Sequence, residues 1–412
     1  MKKFILFLIL TTILRINSQN IKTLNLDDAI KIAYQNRPSL KAFKFSTQAN
    51  KENEKIAISG YLPQISLNSV ENFSTGSKGL QNSTTINASQ LIYSFSGPKQ
   101  QQKIAKKGTE IAKLSERSHE DLIRYQVEAA FLQTWLLQEK NKLIKTLNVS
   151  AKENIKKSEH QDELNLLGKN DWLKSASTYA NNMSNIYQYS DELYSAQNQL
   201  EYLLGDNYKQ NDQTPRLIWN IKQPIKVKSL MYYYNKALQN RKEIKLKQKE
   251  LEQYQETQTY YKNNYLPEIS LSGQAARYDQ TASNNVGINL KWNLFDGSAN
   301  YRQSQMANAN KLKVMQEKET YVQKIKYEVQ KAYHELIQYK KQLAAKNIEI
   351  RQAKNELDLN KLKFNIGDIS SVDFEISLYN WENTKYSWLT TKINTTLKQK
   401  ELFFTCGYPE NI

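Results

Sequence analysis

Few residues of this chain have the type and spacing that catalysis requires. The three histidines, His119, His160 and His334, are scattered through predicted helices and lack the spacing of metal ligands. The sequence contains neither a glycine-rich phosphate loop nor a nucleophile elbow. Cys406 is the single cysteine, so a disulfide framework is excluded and a small buried thiol is expected. We therefore predict a protein that is not an enzyme and has neither a cofactor nor a resident metal.

The elements around these residues are predicted to be long helices, because glycine and proline are rare. Gly168 is the only glycine among residues 109–204, Gly367 is the only one among residues 298–406, and neither stretch contains a proline. These two residue types most often end helices. Each lone glycine lies roughly midway in its stretch. The pattern predicts two helical hairpins that turn at these glycines, with helices of about 60 residues or more, each on the order of 100 Å long.

The chain contains an internal repeat. Tyr61–Leu67 reads Tyr-Leu-Pro-Gln-Ile-Ser-Leu, and the nearly identical Tyr265–Leu271 lies 204 positions later. Further along the chain the offset is 202, so that Asp171 corresponds to Asp373. The slip of two residues falls in a Gly-, Ser-, Asn- and Thr-rich run between residues 68 and 91. Gly76, Gly79 and this polar run predict a loop there, because loops absorb insertions better than helices or paired strands.

The N-terminus has the pattern of an export signal. Residues 1–18 contain Lys2 and Lys3, the apolar run Phe4 to Leu10, and a small residue at Ser18 that suits cleavage. The mature chain is therefore expected outside the cytoplasm. No later run approaches the ~18 consecutive apolar residues that a membrane-spanning helix needs. If this chain enters a membrane, it is expected to do so as β-strands.

The chain is basic, with a formal net charge of +17, or +14 once the three basic residues of the signal are removed. A basic chain suggests nucleic acid as a partner. The lysines, however, are spread along predicted helices among glutamates, and an exported protein meets little nucleic acid. Solvated helix faces explain the charge better, so we predict no nucleic-acid partner.

Two alternating runs near the second repeat of the Tyr-Leu-Pro motif predict β-strands. In residues 267–278 and 286–295 apolar and polar side chains alternate with a period of two. Each run has about the ~9–11 residues of a tilted transmembrane strand. The predicted hairpins are residues 61–95 and 265–296, the first with weaker alternation. The face expected toward lipid carries Ile288, Leu290, Trp292 and Leu294, and the face expected toward a wet lumen carries Asn289, Lys291 and Asn293.

Four such strands predict an oligomer. A four-stranded sheet cannot close into a barrel, and an open sheet edge is not tolerated in lipid. Two copies would supply eight strands, whose interior side chains just fill, whereas three would supply twelve and leave room for a channel. This reasoning excludes the monomer but leaves three and four copies open. An ordinary soluble hairpin packed on a helix is the alternative for each strand pair.

A coiled-coil seam is predicted in the second helical stretch, where apolar residues alternate spacings of three and four. Its members are Val322, Ile325, Val329, Ala332, Leu336, Tyr339 and Leu343. The first repeat has Ile123, Val127 and Ala130 at matching positions. These residues are expected to pack helices into a wall.

With these motifs the chain resembles the outer membrane efflux protein family of TolC-like trimeric channel-tunnels. The resemblance rests on the repeated Tyr-Leu-Pro-x-Ile-Ser-Leu motif, the strand exits at Leu91–Phe95 and Asn293–Gly297, and the turns at Gly168 and Gly367. It covers residues 26–407, and the order and duplication of the motifs make it specific. A soluble periplasmic coiled-coil adaptor or structural protein is the alternative; such a protein would share the helices but not four amphipathic strands.

The resemblance implies a mostly α-helical homotrimer with a transmembrane β part. Its twelve strands would form an outer-membrane barrel, embedded in outer-membrane lipid and continued by a long α-helical coiled-coil barrel in the periplasm. The implied organisation is a first repeat at residues 19–205, a linker in the equatorial belt at 206–228, a second repeat at 229–407 and a tail at 408–412. The implied function is a passive exit duct for efflux or type I secretion. The implied partners are a periplasmic adaptor (membrane fusion protein) and an inner-membrane pump of the RND or ABC type.

The resemblance also implies a gate. In the family an aspartate after the turn lines the constricted periplasmic mouth, and Asp373 occupies that place here, with Asp171 as its repeat mate. The turns at Gly168 and Gly367 are the implied contacts for the adaptor. Ile376 stands where some members carry a second acidic residue, which argues against a two-tier acidic ring. An aspartate in a first helical turn also stabilises the helix dipole, so simple helix capping is the alternative role.

Overall fold

The computed structural model describes residues 23–73, 80–163, 169–205, 215–220, 226–278 and 281–408. The predicted export signal, residues 1–18, and the predicted turn at Gly168 lie outside the described residues. The chain divides into two compact units. One, called here the helical unit, comprises residues 1–38, 120–237 and 328–412; the other, called the sheet unit, comprises residues 39–119 and 238–327. Each unit therefore takes chain from both sequence repeats.

The described secondary structure is mostly helical, with one large sheet, as the sequence predicts. In chain order the elements are β1 Thr23–Leu24, α1 Leu26–Asn36, α2 Pro38–Ser59, β2 Gln64–Phe73, β3 Leu80–Ser94, α3 Pro98–Glu163, α4 Lys169–Leu204, β4 Arg216–Leu217, α5 Leu230–Asn240, α6 Lys242–Asn263, β5 Glu268–Tyr278, β6 Thr281–Lys291, α7 Ala299–Asn365 and α8 Ser371–Thr405. None of the described helices is both long and apolar enough to cross a membrane.

The four long strands form one antiparallel sheet in the order β2–β3–β5–β6. The hairpins β2–β3 and β5–β6 come from different repeats and join through the β3–β5 pair, whose register shifts at a bulge between Leu91 and Tyr93. The outer strands β2 and β6 each pair on one side only among the described residues. The sheet therefore has two free edges.

The last strand ends earlier than the sequence suggests. The predicted run extends to residue 295, but β6 stops at Lys291, which pairs with Glu268. The next pair across the ladder would join Trp292 to Pro267. Proline has no main-chain N–H to donate, so the ladder cannot continue past it. As a correction, the predicted strand residues Trp292, Asn293 and Leu294 follow the strand and lie outside it.

Four helices of the sheet unit pack side by side in the order α2–α3–α6–α7, called here the helix row. A polar contact joins each neighbouring pair: Thr47 Oγ1 with Glu116 Oε2 at 2.7 Å, Gln100 Nε2 with Glu256 Oε2 at 2.6 Å, and Lys247 Nζ with Glu317 Oε2 at 2.9 Å. Each of these helices directly precedes or follows one strand of the sheet along the chain. The helix row and the sheet consequently have the same order.

The long helices α3 and α7, of 66 and 67 residues, match the predicted length. The return helices do not, because α4 has 36 residues and α8 has 35. They end just before Gly205 and Gly407, whose φ values of 92° and 74° lie in the left-handed region. Glycine adopts this conformation readily and ends helices. The two arms of each hairpin are therefore unequal, which corrects the prediction of two arms of similar length.

The predicted seam is buried along α7. Ile325, Val329, Ala332, Leu336 and Leu343 are buried, and Val322 and Tyr339 are half-buried. Within the helical unit α8 packs along α7, and Lys398 Nζ of α8 lies 2.6 Å from Glu335 Oε2 of α7. The matching residues of α3, Ile123 and Val127, are fully buried. The alternation of three and four residues therefore marks packing faces in both repeats.

Candidate functional site

The sheet has one apolar and one polar face, and the register aligns them across both repeats. On the apolar face Leu67 of β2 pairs with Ile86 of β3, and Leu271 of β5 pairs with Ile288 of β6. Ala88 of β3 lies opposite Gly273 of β5 and so joins the two halves. Because directly opposite residues of an antiparallel pair share a face, the weak alternation of the first repeat and the clear alternation of the second produce one surface.

The apolar face is exposed in the single chain. Val286 is 83% exposed, Ile288 73%, Leu290 66%, Ile65 74% and Leu67 66%. An exposed apolar surface of this extent marks contact with lipid or with another protein. Of the four strands that carry it, β2, β5 and β6 have 10, 11 and 11 residues, which is about the length of a tilted membrane-crossing strand, and β3 is longer, with 15.

The polar face carries hydroxyl and amide groups. Asn289 donates from Nδ2 to Ser272 Oγ at 2.7 Å, and Lys291 Nζ lies 3.2 Å from Glu268 Oε1 directly across the ladder. Asn289 and Lys291 thus share the face opposite Ile288 and Leu290, as the period of two requires. Their assignment to a lumen, and that of Ile288 and Leu290 to lipid, stays a prediction.

A polar network that the sequence did not suggest lies between the end of β6 and the first turn of α7. Asp296 Oδ2 accepts hydrogen bonds from the main-chain N of Asn300 at 2.9 Å and from its Nδ2 at 2.6 Å. The pKa of Asp296 is lowered, chiefly by the main-chain hydrogen bond from Asn300. Asn264 Nδ2 donates to Asn300 Oδ1 at 2.9 Å and so connects the end of α6 to the same point. The only sequence signal was the position of Asp296 in the strand exit.

The described hairpin turn lies between α7 and α8. Gly367 adopts a φ of 81°, and Asp368 donates its main-chain N–H to the Lys363 carbonyl at 2.9 Å. The rings of Phe364 and Phe374 stack across the two helices, with centroids 5.0 Å apart and planes 9° apart. The glycine therefore lies at the turn, as predicted, and an aromatic pair holds the two helix ends together.

Asp373 belongs to a capping box at the start of α8. Its main-chain N donates to Ser370 Oγ at 3.1 Å, and its Oδ2 accepts from Ser370 Oγ at 2.7 Å and from Ser370 N at 3.4 Å. The side chain is exposed. Asp373 thus caps its helix and at the same time presents a carboxylate to solvent beside the turn. The side chain of its repeat mate, Asp171, at the start of α4, lies outside the described residues, as does Gly168.

The histidines do not come together. His119 stacks on Phe43 with a centroid distance of 4.5 Å, its Nε2 lies 3.0 Å from Ser39 Oγ, and His334 lies against Tyr333. The side chain of His160 lies outside the described part of the chain. Among the described residues, no group of three or more His, Cys, Asp or Glu side chains could hold a metal ion.

Comparison with known proteins matches most of the chain to one family. The sequence pattern of the family described as outer membrane efflux protein matches residues 29–206 and 233–399 of this chain. No curated protein matches the sequence.

Several solved structures have a similar fold. The outer membrane channel CmeC of Campylobacter jejuni has a TM-score of 0.75 at 15% identity, covering 93% of this chain and 85% of that chain. The open state of the outer membrane channel MtrE of Neisseria gonorrhoeae has a TM-score of 0.73 at 14% identity, covering 93% and 88%. The outer membrane protein VceC of Vibrio cholerae has a TM-score of 0.72 at 12% identity, covering 93% and 97%.

Proposed function

The chain belongs to the outer membrane efflux protein family, and on that premise we propose that it is the outer-membrane exit duct of a tripartite efflux or type I secretion system. The family is one of channels and not of enzymes. The observation that best supports this proposal is that the sheet has one apolar and one polar face. Ile288 and Leu290 lie on one side and Asn289 and Lys291 on the other, which suits a wall between lipid and water.

The functional assembly is a homotrimer. The free edges of β2 and β6 have unpaired main-chain groups that lipid cannot satisfy, so they must pair with the edges of further copies. Three copies close a twelve-stranded barrel that is wide enough for a passage, whereas two copies would close a barrel filled by its own side chains. The family supports three copies over four.

The orientation follows from the chemistry of the two sheet faces. The apolar face meets outer-membrane lipid, and the polar face lines a lumen of hydroxyl and amide groups. The helices form the tunnel in the periplasm, and the turns at Gly168 and Gly367 contact a periplasmic adaptor. An inner-membrane pump of the RND or ABC type supplies the substrate and the energy. Asp373 is the proposed gate residue, and Asp171 is a second candidate.

A soluble periplasmic adaptor or structural rod is the weaker alternative. It would contain the same long helices, but it would leave Val286, Ile288 and Leu290 in water at more than half of their accessible surface. Burial of apolar surface contributes roughly 25 cal/mol per Å², so this face favours a lipid or protein environment.

Two measurements test the proposal. Detergent-solubilised protein should have the mass of three chains by light scattering, and in planar lipid bilayers it should give discrete conductance steps. A protein that stays soluble and monomeric without detergent would be incompatible with the duct.

A further inference from the structure

A row of exposed basic residues runs along the first turns of α3, within the sheet unit. Its members are Lys99, Lys103, Lys106, Lys113 and Arg117. Their spacings of four, three, seven and four place them on one face of a helix with 3.6 residues per turn. None of them forms an ion pair with a described carboxylate. This α3 basic stripe is about 27 Å long at ~1.5 Å per residue.

The stripe faces away from the neighbouring helices. Gly108 lies on the opposite face of α3, where α2 and α6 both come near. A Cβ added at Gly108 would lie 3.3 Å from Asn50 Oδ1 of α2 and 3.5 Å from Gln253 Nε2 of α6. Because the neighbours converge behind Gly108, they leave the stripe uncovered.

Assembly of further copies also leaves the stripe free. In the helix row α2–α3–α6–α7, α3 is an inner member with a helix on each flank. The free flanks of the row belong to α2 and α7, and the free edges of the sheet belong to the adjoining strands β2 and β6. A further copy added at these edges extends the row without covering α3.

The fold does not require this charge. The repeat equivalents of the five residues, 202 positions later on α7, are Tyr301, Gln305, Asn308, Met315 and Glu319. They include no basic residue and one acidic residue. The duplicated architecture therefore builds the corresponding helix without the stripe, and a requirement particular to α3 must explain it.

A membrane surface alone cannot attract the whole length of the stripe. Lys99 follows the last residue of β3, Ser94, by five positions, and Arg117 lies about 27 Å further along the helix. Electrostatic attraction in physiological salt fades within about 8 Å. Lipid headgroups at the strand end would therefore act on the first one or two lysines and leave the others unused.

A folded protein surface is also a poor match. Protein interfaces are centred on buried apolar or aromatic anchors. No large apolar side chain is exposed between Lys99 and Arg117. A face that offers only long cationic side chains in a row suits an extended polyanion, which can form many weak ionic contacts along its length.

We propose that the α3 basic stripe binds the carboxylates of peptidoglycan, the glycopeptide polymer of the cell wall. The proposal depends on the periplasmic location of the helices under the proposed function. A duct that passes through the wall would gain a lateral anchor from this contact.

The test compares two variants of the full-length protein that each lose four positive charges. The first carries Lys99→Gln, Lys103→Gln, Lys106→Gln and Lys113→Gln. The matched control replaces four exposed lysines of α7, with Lys326→Gln, Lys331→Gln, Lys341→Gln and Lys361→Gln. Each detergent-solubilised protein is sedimented with purified peptidoglycan sacculi, with sacculi whose carboxylates have been amidated, and with phosphatidylglycerol vesicles.

The unmodified protein and the α7 control should sediment with native sacculi at low salt, and the stripe variant should bind about tenfold more weakly, since single exposed ion pairs are weak and four are lost together. Binding should disappear on amidated sacculi and at 1 M salt, where the screening length is about 3 Å. Equal binding of both variants, undiminished binding to amidated sacculi, or binding to vesicles alone would each overturn the proposal. Bilayer conductance of the stripe variant is measured separately, so that failure of the duct is distinguishable from failure of wall binding.

Discussion

The indole Nε1 of Trp292 donates a hydrogen bond of 2.9 Å to the main-chain carbonyl oxygen of Tyr265. In the first repeat Gln90 Nε2 donates to the carbonyl of Tyr61 at 3.3 Å. Both donors stand opposite a proline, Pro267 in the second repeat and Pro63 in the first, just past the last ladder pair. Two unlike side chains thus make the same bond where the sheet ladder ends.

This relationship predicts different outcomes for two substitutions at one position. Trp292→Phe keeps an aromatic ring but removes the donor, whereas Trp292→Gln supplies the donor that the first repeat uses. An exposed hydrogen bond contributes about 0.5 kcal/mol, so the Phe variant should unfold at a lower midpoint than the Gln variant in detergent. The bond would be shown to contribute nothing if the Phe variant matched the unmodified protein.

The facing of β6 predicts that neighbouring positions tolerate charge differently. Leu290→Arg places a cation on the apolar face one residue before the end of β6, where the cost in lipid falls from the value at the middle of a strand toward about 1 kcal/mol. It should still give less assembled trimer by light scattering. Asn289→Arg places the same charge on the polar face and should assemble much better. Equal tolerance of both would mean that the faces are assigned incorrectly.

Asp373 has both a local and a proposed collective role, and two variants separate them. Asp373→Ala removes the carboxylate and half of the capping box, while Ser370→Ala weakens the same cap but keeps the carboxylate. Each should cost about 1 kcal/mol of helix stability. Three symmetry-related carboxylates near one axis would attract cations, so only Asp373→Ala should change conductance and weaken block by multivalent cations in planar bilayers. If both variants showed unaltered block, Asp373 would be a helix cap only.

Replacing Gly367 should strain the backbone without causing a steric clash. Its φ of 81° is left-handed, and an added Cβ would meet nothing within 4 Å. Gly367→Ala should therefore cost about 1 kcal/mol from backbone strain alone and increase proteolytic cleavage at the turn. Gly287→Ala, in β6, also has open space around the added Cβ and serves as the control for a glycine without positive φ.

An ion-pair cluster between α3 and α6 predicts a pH dependence of stability. Glu252 lies 2.7 Å from Lys107 and 3.0 Å from Lys249. Hydrogen bonds from these lysines lower the pKa of Glu252 from 4.5 to about 2. A carboxyl group with a lowered pKa in the folded state stabilises the fold above its unfolded pKa and loses this contribution as the pH falls toward the folded value.

The thermal midpoint of Glu252→Gln should therefore lie below that of the unmodified protein near pH 7, and the difference should shrink between about pH 4.5 and pH 2. Glu319→Gln, at an exposed carboxylate of α7, should show little difference at either pH. A deficit of Glu252→Gln that stayed constant over this range would contradict the assigned cause.

The sequence alone determined the features that depend on neighbouring residues. The scarcity of glycine and proline predicted α3 and α7, and the three-and-four spacing identified the buried stripe of Val329, Ala332 and Leu336. The alternation with a period of two separated Asn289 from Leu290. These features follow from helical and strand geometry, which repeats over a few residues and can be read from the order of side chains.

Only the tertiary structure decided the features that depend on residues far apart in sequence. Strand β6 ends at Lys291 because Pro267, which directly precedes β5, lies opposite the next residue. The pairing of β3 with β5 joins the two repeats into one sheet, and Glu252 meets Lys107 only after α3 and α6 pack together. The α3 basic stripe is a free surface because α2 and α6 converge behind Gly108, on the opposite face of the helix. Such contacts depend on register and on helix packing, and a pattern within one segment does not contain either.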